Sequence, residues 1–230
     1  MPYIIIRDYT KVEINVKKRI FVTATNTDIG KTYTTKLLLR EFASRGLRVG
    51  AIKPIESGVI DADAKDAKEL LTLLRELNCE FKEISLEDIV PITYEMPASP
   101  FVASGGKKLD IKKIEKAIEK LEKHCDVLII EGAGGLFVPV DSELMMVDLI
   151  SEFEASALLV THCSLGCIND TLLSKKVLED AKIKHQVAFN CREEDSSFET
   201  ISLPYFLKSG LEVMKVGKNI DTICDVLYNL

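Results

Sequence analysis

The residues most suited to chemistry lie in a short loop, TNTDIGKT at residues 25–32, between a predicted strand and a predicted helix. In such a loop, backbone N–H groups and the N-terminus of the following helix form a positive concavity that binds phosphate oxygens. Gly30 permits close approach, Lys31 places a cation on the terminal phosphates, and Thr32 offers a hydroxyl ligand to Mg²⁺. We therefore predict a nucleotide site here. The alternative is a glycine cap beside a surface lysine.

This loop departs from the usual GxxxxGK[ST] pattern at its first glycine, because Thr25 takes that place. The prediction therefore depends on the position of Gly-Lys-Thr at a strand-to-helix junction, and not on the pattern alone.

A carboxylate follows a second apolar run. Glu131 comes directly after residues 127–130 and before the GAGG sequence at 132–135. Ligands bind at the carboxyl ends of strands in open α/β sheets, so Glu131 is a candidate Mg²⁺ ligand. An incidental acid in a turn is the alternative. Three further acids precede a predicted helix, and spacing alone does not choose among them: Asp61, Asp63 and Asp66.

Lys53 ends another predicted strand, and Ser57-Gly58 follows it closely. A lysine at this edge would bring a second cation to the phosphate loop, and Ser57 would bring a hydroxyl. Taken alone, Lys53 is equally well interpreted as a solvated residue at the end of a strand.

Elements of two kinds alternate along the chain and would position these side chains. Predicted strands cover 20–24, 49–53, 127–130, 157–161 and 187–189, and predicted helices cover 36–44, 70–77, 111–121 and 170–180. Continuous apolar strands are typical of a parallel sheet buried on both faces. We expect an α/β fold of the P-loop NTPase type, with a mostly parallel sheet flanked by helices on both faces.

Length and charge bound the function. The chain has 230 residues, 47% of them hydrophobic, and a formal charge of −6, which predicts one domain over 18–230. Val12, Ile14 and Val16 alternate with polar residues, so residues 1–17 are an N-terminal extension that forms an edge hairpin or stands outside the fold. The sequence lacks the dominant basic patch that is typical of nucleic-acid binding, and it lacks an apolar run long enough to span a membrane. No secretory signal is evident at its start. We expect a cytoplasmic protein.

Six cysteines are present without a CxxC pair, and a chain of this size needs no disulfide for stability. Cys163 and Cys167 beside His162 would suit a metal cluster. We favour the interpretation of a strand end that runs into a loop, because a second ligand pair is missing.

Taken together, these motifs resemble the dethiobiotin synthetase family. The resemblance follows the order of the chain over about residues 18–190 and is carried by residues 25–32 (TNTDIGKT), 53–58 (KPIESG), 66–67 (DA), 97–100 (PASP), 131–135 (EGAGG) and 165–169 (LGCIN). It implies a homodimer that converts 7,8-diaminononanoate, CO₂ (or bicarbonate) and a nucleoside triphosphate such as ATP into dethiobiotin with Mg²⁺. The reaction implied passes through a carbamate and a carbamic–phosphoric anhydride.

The resemblance also implies residue roles. Lys53 and Lys31 would be catalytic, Thr27 and Ser57 would hydrogen-bond the substrate, and the substrate carboxylate would bind across the dimer interface to Leu165, Gly166 and Asn169. The metal ligands would be Thr32, Asp66 and Glu131. Nucleotide contacts would come from Asp28, Ile29, Gly30, Lys31, Thr32, Tyr33, Asp66, Glu131, Gly132, Ala133, Gly134, Asn190, Leu203, Pro204 and Tyr205.

The segment after Asn190 departs from the family pattern. Only 13 residues separate Asn190 from Pro204, the centre of the loop expected to contact the base, and Cys191-Arg192-Glu193 stands where an acid often follows. This shortening predicts phosphate binding with weak selectivity for adenine.

A regulatory ATPase of the partitioning or cell-division type is the alternative function. Those proteins carry an extra lysine early in the phosphate loop, whereas Thr25, Asn26 and Thr27 occupy the early positions here.

Overall fold

The computed structural model describes residues 17–193 and 195–230. The hairpin predicted within residues 1–17 therefore lies, except for Lys17, outside the described residues. The strands are β1 (Lys18–Ala24), β2 (Val49–Ile52), β3 (Ile55–Ser57), β4 (Ile92–Tyr94), β5 (Val127–Gly135), β6 (Ser156–His162) and β7 (His185–Asn190). Five of them form a parallel sheet in the order β2-β5-β1-β6-β7, and β3 pairs with β4 in a small parallel sheet.

Helices flank the large sheet. They are α1 (Lys31–Ser44), α2 (Lys65–Leu77), α3 (Leu86–Ile89), α4 (Pro100–Ala103), α5 (Ile111–Glu122), α6 (Met146–Glu152), α7 (Cys167–Asp180), α8 (Phe198–Ile201), α9 (Leu203–Ser209) and α10 (Ile220–Asn229). In α5, Ile114, Ile118 and Leu121 recur at helical spacing and are buried, while Asp110 caps the first turn by accepting from Lys113 N. The predicted parallel sheet with flanking helices is confirmed.

The register of the sheet places the candidate residues together at the carboxyl ends of its strands. Ala24 in β1 lies beside Gly135 in β5 and Val160 in β6, and His162 lies beside Asn190 at the ends of β6 and β7. Because all these strands run in the same direction, the loops that follow them meet at their carboxyl ends.

Several element boundaries differ from the sequence prediction, and three of these differences lie near the candidate site residues. Helix α1 begins at Lys31 instead of residue 36, and α7 begins at Cys167 instead of 170, because Gly30 and Gly166 take positive φ angles that turn the chain directly into the helix. Strand β2 ends at Ile52, where Lys53 N leaves the large sheet and donates to Ile89 O at 2.8 Å.

The predicted loop at 203–205 is wrong. These residues are the first turn of α9, with Pro204 inside that turn. Proline is tolerated there because the first N–H groups of a helix have no intrahelical partner.

A disulfide that the sequence did not predict joins Cys163 to Cys191. The interpretation of 162–167 as a strand end is confirmed: His162 ends β6 and Cys167 begins α7. Over 17–193 and 195–230, no three His, Cys, Asp or Glu side chains form a metal cluster. No helix in the same ranges has the length and apolar character needed to cross a bilayer.

Candidate active site

The phosphate loop joins β1 to α1 and is closed by Asn190 at the end of β7. Gly30 has φ +100°, and a Cβ added there would lie 2.2 Å from Asn190 Nδ2. The same Nδ2 donates to Ile29 O at 2.8 Å. Glycine is therefore required at position 30 both for its backbone angle and for this close contact.

Lys31 is the first residue of α1, and its side chain is buried at the loop. Its Nζ donates to Asn26 O at 3.3 Å, so the ammonium folds back over its own loop. Burial first, and then the charge of Lys53, lower the pKa of Lys31 to about 8 against the opposing effect of Glu131. Both lysines line the same cavity, and their charges favour an anionic ligand there.

Lys53 contacts two carboxylates. Its Nζ donates to Asp66 Oδ2 at 2.5 Å and to Glu131 Oε1 at 2.8 Å, and Glu131 Oε1 also accepts from Thr32 Oγ1 at 2.7 Å. Burial acts to lower the pKa of Lys53, but Glu131 and Asp66 together outweigh it and raise the pKa. Lys53 is therefore held protonated, and it ties the end of β2 to β5 and α2.

The residues present fit a divalent cation of the Mg²⁺ type. Glu131 is fully buried, and its Oε2 has no hydrogen-bond partner within the described chain. A buried carboxylate oxygen without a partner is costly unless it meets a cation or donor. The Thr32 hydroxyl and the Asp66 carboxylate add two hard oxygen donors nearby, and Mg²⁺ in nucleotide sites takes only one or two carboxylates and completes its shell with phosphate and water.

A cavity of about 420 Å³ opens above these side chains. It brings together most of the residues that the sequence singled out: Thr27, Asp28, Gly30, Lys31, Thr32, Tyr33, Lys53, Ser57, Asp66, Ala133 and Gly134. Glu131 lies just beneath this surface and reaches it through Thr32 and Lys53.

Two further cavities adjoin the first. One, of about 390 Å³, shares Thr27, Ser57, Ala133 and Gly134 with it and extends along residues 97–100 to Val138. The other, of about 480 Å³, shares Thr27 and Asp28 and runs past His162 and Asp170. Thr27 therefore stands where all three spaces meet.

Several predicted site residues are not part of the central cavity. Leu203, Pro204 and Tyr205 line none of the three cavities. Leu165 and Asn169 are exposed around the N-terminus of α7, which Gly166 caps. Gly132 is packed inward, since a Cβ there would lie 2.7 Å from the Phe21 ring.

Sequence reasoning missed three residues that line the central cavity, Ile55, Glu56 and Arg192, and the last two are polar. Glu56 accepts from the backbone N–H groups of Asp66 and Ala67, and the guanidinium of Arg192 donates to Asp28 O. For Arg192 a signal existed, because a cation directly follows a strand that ends in the predicted base-binding Asn190. For Glu56 the only signal was its place within the Lys53–Gly58 segment.

Comparison with known proteins gives a consistent result. A family model described as an AAA domain matches residues 18–224. The chain is 44% identical over 187 residues to an "ATP-dependent dethiobiotin synthetase BioD" of Sulfurovum sp., covering 81% of this chain and 89% of that protein. It is 35% identical over 215 residues to a protein of the same name from Wolinella succinogenes, covering 92% and 99%.

Among solved structures, a plasmid partition protein from Borrelia burgdorferi superposes with a TM-score of 0.54 over 92% of this chain and 96% of that chain, at 9% identity. That likeness supports the fold alone. The sequence relatives are more informative because they cover 81% and 92% of this chain at 44% and 35% identity. The chain therefore belongs to the family of ATP-dependent dethiobiotin synthetases, which are ligases.

Proposed function

We propose that this protein makes dethiobiotin from 7,8-diaminononanoate and CO₂ at the expense of a nucleoside triphosphate, with Mg²⁺. The observation that carries the proposal is the convergence of Lys31, Lys53, Thr32, Asp66 and Glu131 on one cavity beside the phosphate loop. The names of the relatives support the choice of reaction.

The proposed chemistry begins when one amine of the substrate takes up CO₂ and releases a proton, giving a carbamate. A carbamate oxygen then attacks the γ-phosphorus and displaces the diphosphate nucleotide. The carbamate and the transferred phosphoryl group now form a mixed anhydride. The second amine attacks the carbamate carbon, phosphate leaves, and the cyclic urea closes. Both reactants of the phosphoryl transfer are anionic, so catalysis requires concentrated positive charge and accurate positioning.

Lys31 and Lys53 would supply the protein's share of that charge. Thr32, Asp66 and Glu131 would hold Mg²⁺, which neutralises phosphate charge when it is bound. Lys53 Nζ contacts Asp66 and Glu131, two of the proposed ligands. Lys53 would therefore exchange these contacts for the carbamate when the carboxylates bind the metal.

The adjoining 390 Å³ cavity would take the aliphatic part of the diamine. Proline, alanine and valine side chains line it, and Thr27 and Ser57 stand at its junction with the phosphate cavity. The two hydroxyls would hydrogen-bond the diamine end, next to Lys53.

The substrate carboxylate would bind to the N-terminus of α7 in a second copy of the chain. Backbone N–H groups at a helix N-terminus favour an anion, and the segment 164–166 is exposed and not part of this protomer's central cavity. A homodimer, a cytoplasmic location and a single synthetase domain over 18–230 stay part of the proposal.

The proposal is tested by following nucleotide hydrolysis and product together. The purified protein is incubated with ATP and Mg²⁺, with and without diaminononanoate and with and without bicarbonate. We expect hydrolysis to depend on both, and the product to carry two nitrogen atoms joined by one carbonyl. Hydrolysis that is undiminished without the diamine would instead favour the regulatory ATPase.

A further inference from the structure

Glu56 is a buried carboxylate that the proposed reaction does not use. It lies in the middle of β3 and is 7% exposed. Its Oε1 accepts from Asp66 N at 3.1 Å, and its Oε2 accepts from Ala67 N at 3.1 Å. Both oxygens of the side chain are therefore bonded to the first turn of α2.

Helix α2 has no cap of its own. Ala64 stands at the N-cap position, and its methyl group cannot accept from the first turn. The preceding loop also contains Gly58, Asp61 and Ala62 at positive φ, so the chain approaches the helix by an irregular path. The first N–H groups of a helix need acceptors, and Glu56 provides two of them from a distant strand.

One of the two N–H groups that Glu56 caps belongs to Asp66, the proposed metal ligand. Asp66 is the proposed ligand, and its side chain is 42% exposed, with Lys53 as the cation it contacts. A partly exposed side chain on the first turn of an irregularly entered helix would otherwise be poorly fixed. Glu56 holds the backbone of Asp66 from a position only three residues after Lys53.

We propose that Glu56 is a positioning residue that sets Asp66 at the distance from Lys53 and Glu131 that metal binding requires. This inference rests on the proposed function, because Asp66 is a metal ligand only there. Partners that orient the ligands of metal sites typically change metal affinity 10–100-fold when they are removed. Glu56 acts on the ligand through its backbone and does not itself contact the metal.

The test uses Glu56→Gln, which keeps the shape of the side chain but replaces one acceptor oxygen with a donor. Mn²⁺ binding to the protein with ADP is followed by electron paramagnetic resonance. We expect the dissociation constant of Mn²⁺ to rise about tenfold or more, and the Mg²⁺ concentration for half-maximal hydrolysis to rise with it. Glu56→Asp, which shortens the reach, should weaken Mn²⁺ in the same direction and serves if the first variant does not fold.

A matched control separates this role from general helix capping. Asp110 also caps a helix through a carboxylate, at α5, and it is not part of the three cavities. Asp110→Asn should leave Mn²⁺ affinity unchanged. The double variant Glu56→Gln/Asp66→Asn should bind Mn²⁺ no more weakly than Asp66→Asn alone, because the two residues act as one unit.

Two results would overturn the inference. The first is an unchanged Mn²⁺ dissociation constant in Glu56→Gln. The second is a double variant whose loss of Mn²⁺ affinity equals the product of the losses in Glu56→Gln and Asp66→Asn. Mn²⁺ binding is measured with ADP and without the diamine, so it does not depend on the product. If the wild-type protein made no dethiobiotin, the proposed reaction would fail while the Mn²⁺ measurement would still decide the role of Glu56.

Discussion

The Lys53 ammonium is buried, and the two carboxylates beside it explain why it keeps its charge. A lone ammonium would lose its proton on burial, whereas Glu131 and Asp66 raise the pKa of Lys53 above its ordinary value. The same pairing explains why Glu131 can be fully buried. Removing one partner of such a pair leaves an uncompensated buried charge, so each of these residues contributes to stability.

We predict that Lys53→Ala keeps nucleotide binding and loses at least about a hundredfold in product formation, because one charge is lost that would stabilise the transferring phosphoryl group. Nucleotide affinity measured by calorimetry should change little, since Lys31 and the loop remain. Lys53→Met, which preserves the volume of the side chain, guards against a packing effect.

Lys36→Ala is the matched control for Lys53→Ala. Lys36 is also a lysine paired with a glutamate, Glu69, but it lies on the exposed side of α1 away from the central cavity. Its loss should leave product formation unchanged. Product formation by Lys53→Ala at the wild-type rate would reduce Lys53 to a structural residue.

At the scale of single residues, the sequence predicted those site residues that are neighbours along the chain. Gly30, Lys31 and Thr32 form one contiguous motif, and the structure places them at one cavity as expected. Asp66 was distinguished from Asp61 and Asp63 only by family resemblance, because the contact with Lys53 depends on how a loop returns to the sheet. Glu56 was missed for the same reason, since its acceptor role joins it to residues 10 and 11 positions away.

The pairing of β6 with β7 brings together two cysteines that are far apart in the sequence. His162 and Asn190 are neighbours in the parallel register, so Cys163 and Cys191, one residue further along each strand, come together. The disulfide joins the residue before the 164–166 segment to the residue that follows Asn190. Strand pairing, which no cysteine spacing reveals, is why the sequence failed to predict it.

We predict that this disulfide stabilises the fold by roughly 3.6 kcal/mol, the chain-entropy value for cysteines 28 residues apart. The free energy of unfolding in urea should fall by about that amount in Cys191→Ser. A reducing agent should lower the stability of the wild-type protein to the same level.

The variant supplies the control for this prediction, because Cys191→Ser has no such disulfide to reduce and should not respond to the reducing agent. A wild-type protein with the same stability in the presence and absence of reductant would mean that the disulfide contributes nothing in solution.

At the scale of the whole molecule, the acidic balance did not predict the ligand. A formal charge of −6 belongs to the entire chain, whereas Lys31 and Lys53 place two cations in one cavity beside Glu56 and Asp66. The alternation of strand and helix predicted a parallel sheet, but the order β2-β5-β1-β6-β7 was not predictable from it. Periodicity reports which face of an element is buried and leaves open which strand lies beside it.

The placement of the α7 N-terminus leads to a prediction about two copies of the chain. Gly166 caps this N-terminus with φ +97°, where any other residue would be strained, whereas the neighbouring Leu165 is 82% exposed. Leu165→Glu would therefore put a negative charge where the substrate carboxylate is proposed to bind without straining the cap, so the variant alone should form little product. Lys53→Ala alone should also be nearly inactive.

Mixing these two variants tests whether one active site draws on both copies. In a symmetric dimer each site would combine Lys53 of one copy with the α7 N-terminus of the other. After denaturation and refolding together, half of the dimers would be mixed, and each would contain one site with neither substitution. We therefore expect about a quarter of the wild-type product formation per site, by random re-pairing of identical interfaces. Each variant refolded alone is the control and should stay inactive. A mixture no more active than its components would show that the α7 N-terminus serves the same copy as Lys53, or that it takes no part in binding the substrate.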